Sequence, residues 1–279
     1  MANYSVKDIK ELRELTGAGM MDVKKALEEA NGDRDEAMKI IRLAGQKSLA
    51  KREGRTAAAG VVAIEVKDTE AGQLGIMVEV NSETDFVAKN EKFLALVDTV
   101  KKAAVSEVTD EVEKLMTVSV EGKTVQEHVD EMAALFGERI VVGRVGHVEG
   151  EVVDAYLHYS NKDLPPQVGV LVATDKAAAS VAHDVALHIA GNAPQYLTRD
   201  DIPEDVVAKE RETLEELTRQ EGKPEHIVPK IVEGRLNGFY KEVCLVDQDS
   251  AKDPKLTIGK LITQSGGKVL DYKRFHVGA

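Results

Sequence analysis

The hydrophobic residues of the first 46 positions repeat every three or four residues, the spacing that places side chains on one side of a helix. Two breaks, at residues 16–19 and at Asn31-Gly32, divide this pattern into three segments. Residues 47–56 are polar and basic and predict a linker. We therefore expect a three-helix module over residues 1–46 that this linker joins to the rest of the chain. The first predicted helix carries Val6, Ile9, Leu12 and Leu15.

The middle of the chain mixes strand patterns with helix patterns, which indicates the α+β fold class. Two apolar runs, at residues 60–66 and 74–80, flank a polar stretch and predict a hairpin with its turn at residues 67–73. The further predicted elements are an amphipathic helix from about residue 91, a helical stretch over about 110–137, strands at 139–149, 152–160 and 168–174, and an Ala-rich helix over about 176–190.

An internal repeat is visible in this middle region. Residues 74–80 (LGIMVEV) resemble residues 168–174 (VGVLVAT), and each run is the second strand of a predicted hairpin that precedes a helix. Two units of one design imply a duplicated α/β core with antiparallel sheets. We assign residues 57–138 to its first subdomain, and residues 139–200 with 244–263 to its second.

The composition changes from Pro203 onward. Residues 204–221 are highly charged and carry a narrow apolar seam, residues 222–224 (GKP) turn the chain, and a second amphipathic segment runs to Val243. This predicts an antiparallel coiled-coil hairpin inserted at residues 201–243. A short helix over residues 257–265 and a last strand over residues 268–277 are expected to close the second unit. Residues 264–279 are also assigned to a short C-terminal module. The predicted seam consists of Val207, Leu214 and Leu217.

The charge distribution limits the classes of partner. The net charge is −12, yet residues 1–55 hold 12 basic and 10 acidic side chains, so the acidic excess lies in the remainder. An acidic body argues against extensive contact with nucleic-acid phosphates, and no apolar stretch approaches the ~20 residues that a membrane span requires. A single cysteine and the absence of a signal pattern predict a cytoplasmic protein. Cys244 lies in an apolar run and is predicted to be buried and structural.

The sequence carries no pattern that predicts an enzyme. Phosphate-loop, zinc-protease and serine-hydrolase motifs are missing, and Gly17-x-Gly19 neither follows a strand nor has a third glycine. Asp184 and His188 lie one helical turn apart, but two ligands do not make a metal site, and a surface or core pair is the better interpretation. We expect no catalytic residue, no metal site and no cofactor. The rival interpretation, an unrecognised hydrolase, predicts a convergent cluster of acid, base and metal ligands, and the sequence shows no such cluster.

Three apolar or aromatic features need an explanation beyond folding. Phe86 lies in the polar corner between a strand and a helix, where it either folds back onto the core or contacts another molecule. Met20 and Met21 follow a turn, where flexible thioethers either fill the small core or form an adaptable contact surface. His158, beside Leu157 at a strand end, is either structural or placed for contact.

Several motifs together resemble bacterial elongation factor Ts. They are Thr84-Asp-Phe-Val-Ala-Lys-Asn90, the segment 12–22 (LRELTGAGMMD) with 24–27 (KKAL), and 169–172 (GVLV), and the resemblance extends from Val6 to Val277. The resemblance implies a ubiquitin-associated-like helical module, a duplicated α/β core, an inserted helical hairpin and a C-terminal module that is short in this chain.

The resemblance also implies a function, namely release of GDP from elongation factor Tu through disturbance of its Mg²⁺ and phosphate site. Thr84, Asp85, Phe86 and Val87 would form the exchange motif. The implied partner contacts are Arg13, Met20 and Met21 on the nucleotide-binding domain, with Leu157 and His158 near its phosphate loop. The stoichiometry is left open between a 1:1 complex and a 2:2 complex that forms through the core or the inserted helical hairpin. The alternative is a ubiquitin-associated-like adaptor that binds proteins without exchange activity.

Overall fold

The computed structural model describes residues 3–16, 18–50 and 54–279. The helices are α1 (Val6–Thr16), α2 (Met20–Glu29), α3 (Arg34–Ala50), α4 (Asp85–Ala88), α5 (Glu91–Ser106), α6 (Val112–Met116), α7 (Val125–Phe136), α8 (Ala179–Asn192), α9 (Glu204–Gln220), α10 (Val228–Val243) and α11 (Ile258–Ser265). The strands are β1 (Ala59–Thr69), β2 (Gly72–Ser82), β3 (Ser119–Val120), β4 (Lys123–Thr124), β5 (Val141–Gly150), β6 (Val152–His158), β7 (Val168–Thr174) and β8 (Val269–His276).

The three predicted N-terminal helices are present as α1, α2 and α3. Ser5 and Asp8 cap α1, because the Ser5 amide donates to the Asp8 carboxylate at 2.7 Å and the Asp8 amide donates back to the Ser5 hydroxyl at 3.2 Å. The linker prediction is wrong at its start, since α3 continues to Ala50. Residues 51–53 of the linker lie outside the described residues. The small core of this module contains Leu12, Val23, Ala26, Leu27, Ala37 and Ile41.

The first sheet has the antiparallel order β1-β2-β5. The β1–β2 hairpin is longer than expected, because pairing continues to Thr69 and Gly72 and leaves the turn at residues 70–71. Asp68 and Thr69 at this end of the hairpin are exposed, whereas Lys67 is half-buried and donates to the Val105 carbonyl at 3.1 Å. The predicted boundary at residue 139 is also wrong, since β5 pairs with β2 and belongs to the first sheet.

The second sheet has the antiparallel order β6-β7-β8. Its last strand, β8, pairs with β7 from His276 opposite Val168 to Val269 opposite Thr174. Residues 269–276 therefore complete the second sheet, which confirms the expectation that the last strand closes the second unit. The assignment of residues 264–279 to a separate module is wrong. The connection from α8 to β8 contains α9, α10 and α11.

The two sheets pack face to face between outer layers of helices. Leu74, Ile76 and Val78 of β2 pack beneath α5 and α7, whereas Met77 points toward the second sheet. Val170 and Val172 of β7 likewise pack beneath α8 and α11, with Leu171 in the inter-sheet core. Both central strands are thus covered on both faces, which explains why their sequences are mostly apolar.

The predicted repeat is confirmed by matching structural details. The alignment that pairs residues 74–80 with 168–174 places Gly75 opposite Gly169, and each glycine lies where the other sheet approaches closely. It also superposes two irregularities in strand register, one between Glu79 and Val80 and one between Ala173 and Thr174. The two units therefore share strand order, face assignment and the position of their bulge.

The helical stretch predicted over residues 110–137 is interrupted. Helix α6 ends at Met116, the short β3–β4 hairpin follows, and α7 begins at Val125 behind the capping residue Thr124. A Glu at the third position of α7 completes the capping box with Thr124. Turn residues Glu121 and Gly122 both have positive φ, which a continuous helix cannot accommodate.

Helices α9 and α10 pack against each other and form a pair that we call the arm. Their contact is lined by Leu214, Val232 and Leu236. An Arg211–Glu233 ion pair of 2.6 Å crosses between the helices. Leu217, which the sequence places in the seam, is 46% exposed. None of the helices in the described ranges is long and apolar enough to cross a membrane.

Candidate functional site

The stretch from Ser82 to Asn90 forms a tight corner between β2 and α5, and its only regular element is the single turn α4. Thr84 caps this turn, because its hydroxyl accepts a hydrogen bond from the Val87 amide at 3.4 Å. Asn90 caps α5 by accepting from the Lys92 amide at 2.9 Å. The polar residues of the corner thus satisfy the free amides of two helix starts.

The corner presents its aromatic side chain to solvent. Val87 and Ala88 are buried in the core beneath α5, which anchors the inner side of the turn. Asp85 is exposed, and Phe86 is 72% exposed. The Lys89 ammonium lies 4.7 Å from the centre of the Phe86 ring, a cation–π contact that limits the ring's freedom. Phe86 therefore does not fold back onto its own core, and the first of the two alternatives for this residue is wrong.

The segment between α7 and β5, which is outside the motif, holds the corner in place. Both oxygens of Glu138 contact Thr84, which donates its amide to one at 3.1 Å and its hydroxyl to the other at 2.6 Å. In the opposite direction, Glu83 accepts the Arg139 amide at 2.6 Å. Arg55 also donates to Glu83, at 3.2 Å, so the end of the linker reaches the same corner.

The motif alone did not reveal these partners. Glu138 follows Gly137, whose left-handed backbone (φ 72°) ends α7 and turns the chain toward β5. A glycine stop followed by an acidic residue is too common a pattern to identify a partner more than 50 residues away in sequence. Only the pairing of β5 with β2 brings residues 138–139 beside the corner.

The equivalent corner of the second unit is closed. The Asp175 carboxylate accepts the Ala178 amide at 2.9 Å, and the Asp175 amide donates to the Lys268 carbonyl at 3.2 Å. Gly267 packs so tightly here that a Cβ atom would lie 2.3 Å from the Ala178 nitrogen. One corner of the duplicated core is thus filled by the connection to β8, whereas the other carries an exposed aromatic ring.

The three candidate residues of the helical module lie on its surface. Arg13 of α1 is exposed, and Met20 and Met21 at the start of α2 are 53% and 61% exposed. The methionines therefore do not fill the small core. Val6 and Leu15 are exposed as well, so this module carries more apolar surface than its helix pattern predicts.

Leu157 and His158 end strand β6, and their side chains alternate across the sheet. Leu157 is partly buried against the inter-sheet core. His158 is exposed, and its Nδ1 lies 3.0 Å from the Tyr156 hydroxyl. The nine candidate residues thus occupy three places: the corner, the surface of α1 and α2, and the end of β6.

The Asp184–His188 pair serves the fold. Asp184 forms an ion pair of 2.8 Å with Lys252. His188 is buried, its Nε2 lies 2.9 Å from the Gln248 side-chain oxygen, and burial lowers its pKa. Within residues 3–16, 18–50 and 54–279, no cluster of three or more His, Cys, Asp or Glu side chains could hold a metal ion.

Cys244 is fully buried, as its apolar neighbourhood predicts. Burial raises the pKa of its thiol to about 11. A thiol of this kind is a poor nucleophile near neutral pH because the thiolate is scarce. The interpretation of Cys244 as a structural residue is therefore confirmed.

Comparison with known proteins gives one consistent result. A family model described as "Elongation factor TS" matches residues 83–279. Relatives named elongation factor Ts are similar over all of this chain and all of their own length: the protein of Beutenbergia cavernae is 55% identical over 281 residues, that of Micrococcus luteus 53% over 281 residues, and that of Arthrobacter sp. 54% over 282 residues.

Proposed function

The chain belongs to the elongation factor Ts family, and we propose that it acts in translation elongation by promoting release of GDP from elongation factor Tu, so that GTP can bind. Phe86 on its anchored turn is the observation that carries this proposal. Burial of a large aromatic side chain is favourable, so an exposed one such as Phe86 gains free energy when a protein–protein contact covers it. The role requires no covalent chemistry and no cofactor of this chain, and its setting is the cytoplasm.

The partner holds its nucleotide in a geometry that is sensitive to small displacements. A GTPase binds GDP through backbone amides around the phosphates and through Mg²⁺, which demands near-octahedral coordination. In our proposal Phe86 inserts into an apolar pocket of the partner and displaces the element that supports this site. Asp85 accepts hydrogen bonds from that element or repels the carboxylates around the metal, while Thr84 and Val87 hold the corner.

Two further surfaces contribute binding. Arg13, Met20 and Met21 contact the nucleotide-binding domain of the partner, with the two thioethers adapting to its surface. Leu157 and His158 press near its phosphate loop. The proposal also includes a ubiquitin-associated-like fold for the helical module and a coiled coil for the arm.

The required free energy is within reach of a few side chains. A ~1,000-fold weakening of GDP binding corresponds to about 4 kcal/mol of coupling free energy. Buried anchor residues at protein interfaces each contribute about 2 kcal/mol or more. The coupling is reciprocal, so bound GDP weakens the grip of this chain on its partner by the same factor.

Release of a fluorescent GDP analogue from elongation factor Tu tests the proposal. We expect this chain to accelerate release strongly at substoichiometric concentration, because each molecule acts repeatedly. The adaptor alternative predicts a complex by calorimetry but an unchanged rate of GDP release. Binding without acceleration would therefore replace our proposal with the adaptor function.

A further inference from the structure

Glu138 uses its whole carboxylate on one residue of the corner. Its Oε2 accepts the Thr84 amide at 3.1 Å, and its Oε1 accepts the Thr84 hydroxyl at 2.6 Å. Hydrogen bonds to an ionised carboxylate are stronger than those between neutral groups. Thr84 is thus held at two points by a residue 54 positions away in sequence.

This contact sets the direction of the Thr84 hydroxyl. A hydroxyl has one hydrogen to donate, and an ionised carboxylate can only accept. The Thr84 hydrogen is therefore committed to Glu138, which leaves an oxygen lone pair for the Val87 amide at 3.4 Å. The cap of α4 and the hydrogen bond to Glu138 share one atom, the Thr84 hydroxyl oxygen, so the bond to Glu138 orients the cap.

This cap is one of the contacts that hold the turn carrying Phe86, together with the buried Val87 and Ala88 side chains. Helix α4 has four residues, and so short a helix gains little from its own backbone hydrogen bonds. Phe86 lies at the second helical position, between the cap and the anchored Val87. Loss of the cap would let the backbone of residues 84–86 leave the helical conformation and redirect the Phe86 ring.

A second hydrogen bond, between Glu83 and Arg139, joins the same two segments, and here the carboxylate belongs to the corner. Glu83 accepts the Arg139 amide at 2.6 Å, while Glu138 accepts the Thr84 amide. Each segment thus supplies one carboxylate and one backbone amide to the other segment. Arg139 in turn donates its guanidinium to the Arg55 carbonyl at 2.6 Å, so the end of the linker belongs to the same network.

From this arrangement we propose that Glu138 is a positioning residue for nucleotide exchange, which holds Phe86 in its active direction through Thr84. The inference rests on the proposed exchange function and extends it to a residue outside the motif. Glu138 contacts the corner and not the surfaces of α1, α2 and β6, which supply the other proposed partner contacts. Its loss should therefore change the maximal rate of GDP release more than the half-saturating concentration.

The test compares variants by saturation kinetics of GDP release from elongation factor Tu. Glu138→Gln retains the shape of the side chain but removes one of the two acceptor oxygens. We expect its maximal rate to fall about tenfold, the factor that roughly 1.4 kcal/mol produces, with little change in the half-saturating concentration. Glu149→Gln is the matched control, because Glu149 is an exposed glutamate near the other end of β5.

Changes at Thr84 test whether Glu138 acts through that residue. Thr84→Val, which lacks the hydroxyl, should lower the maximal rate by a similar factor, and Thr84→Ser should retain the wild-type rate. The double variant Glu138→Gln with Thr84→Val should be no slower than the slower single variant, because both changes break one series of contacts.

Amide hydrogen exchange of the free chain provides a measurement that does not need the partner. In Glu138→Gln the Val87 amide should exchange faster, while the Val78 amide in the centre of β2 remains unchanged. A uniform increase in exchange would assign Glu138 to general stability and overturn the inference.

The kinetic outcomes separate the two proposals. A wild-type rate in Glu138→Gln, or a double variant as slow as the product of the single effects, overturns the role of Glu138 and leaves the exchange function intact. Failure of the wild-type chain to accelerate GDP release overturns the exchange function and the inference together.

Discussion

Adjacent side chains at the corner between β2 and α5 face opposite environments. Val87 is buried beneath α5, whereas Phe86 is exposed and has the Lys89 ammonium 4.7 Å from its ring centre. The inner side chain anchors the turn and the outer one is presented at a fixed place. Interface anchors in other complexes have this character, since a rigid aromatic loses little conformational entropy on binding.

His188 makes the stability of the chain depend on pH. Burial lowers its folded-state pKa below the ordinary value of about 6.5, so the unfolded chain binds more protons between the two values. The free energy of unfolding should therefore be highest above about pH 6.5 and should decrease as the pH falls below it.

Urea unfolding at about pH 7.5 and about pH 5.5 measures this effect. His188→Gln should lose less stability between the two conditions than the wild type, because it removes the group that titrates. His226→Gln, at an exposed histidine, should behave like the wild type. An equal loss in His188→Gln and wild type would contradict the assignment.

Cys244 should be unreactive in the folded chain. Its thiol is fully buried and has a pKa of about 11, so only about one molecule in a thousand carries a thiolate near pH 8. A thiol-specific colorimetric reagent should label no cysteine in native buffer and one per chain in urea. Rapid labelling without denaturant would show that the segment opens or that Cys244 is exposed.

At the scale of elements, the local patterns predict what each segment is but not where it pairs. Strands β2 and β7 were predictable because both of their faces are buried and their sequences are mostly apolar. The caps of α1 and α4 follow from local polar residues. The last strand closes the second unit as expected. The sheet assignment of β5 and the separate module at residues 264–279 were wrong, because pairing between distant strands leaves no mark in a short window of sequence.

The candidate site divides along the same line. The motif with Phe86 was recognisable, since an aromatic residue in a polar corner is unusual and the second copy of the repeat lacks it. Glu138 was not, because its role depends on β5 lying beside β2. The exposure of Met20 and Met21 was left open, since residues beside a turn can face either way.

The contact between the sheets requires a small residue at Gly169. A Cβ atom there would lie 2.5 Å from Val62 Cγ1 and 2.7 Å from Met77 Sδ, both in the inter-sheet core. We expect Gly169→Ala to lower the free energy of unfolding by about 1–3 kcal/mol, as overpacking of a filled core does. Equilibrium unfolding in urea measures the change.

Gly234 provides the matched control with the opposite sign. It lies within α10, where an added Cβ meets no atom of the described residues within 4 Å. Gly234→Ala should stabilise the chain by about 0.5–1 kcal/mol, because alanine favours the helix. A Gly169→Ala variant as stable as Gly234→Ala would contradict the close packing of the sheets.

At the scale of the whole molecule, the duplicated α/β core forms a rigid support, and the first of its two units carries the proposed partner contact. Two sheets packed between helices form a support in which both central strands are buried. The second corner is closed by the connection to β8, whereas the first is open and carries Phe86. The linker reaches this open corner through Arg55, so the helical module joins the core beside the proposed exchange site.

The central claim is that Phe86 drives release of GDP, and stopped-flow release of fluorescent GDP from elongation factor Tu tests it most directly. The wild-type chain should accelerate release strongly, Phe86→Ala should be at least about tenfold slower at saturation, and Leu187→Ala, at an exposed leucine of α8, should match the wild type. Equal acceleration by wild type and Phe86→Ala would contradict the account and move the exchange mechanism to another surface.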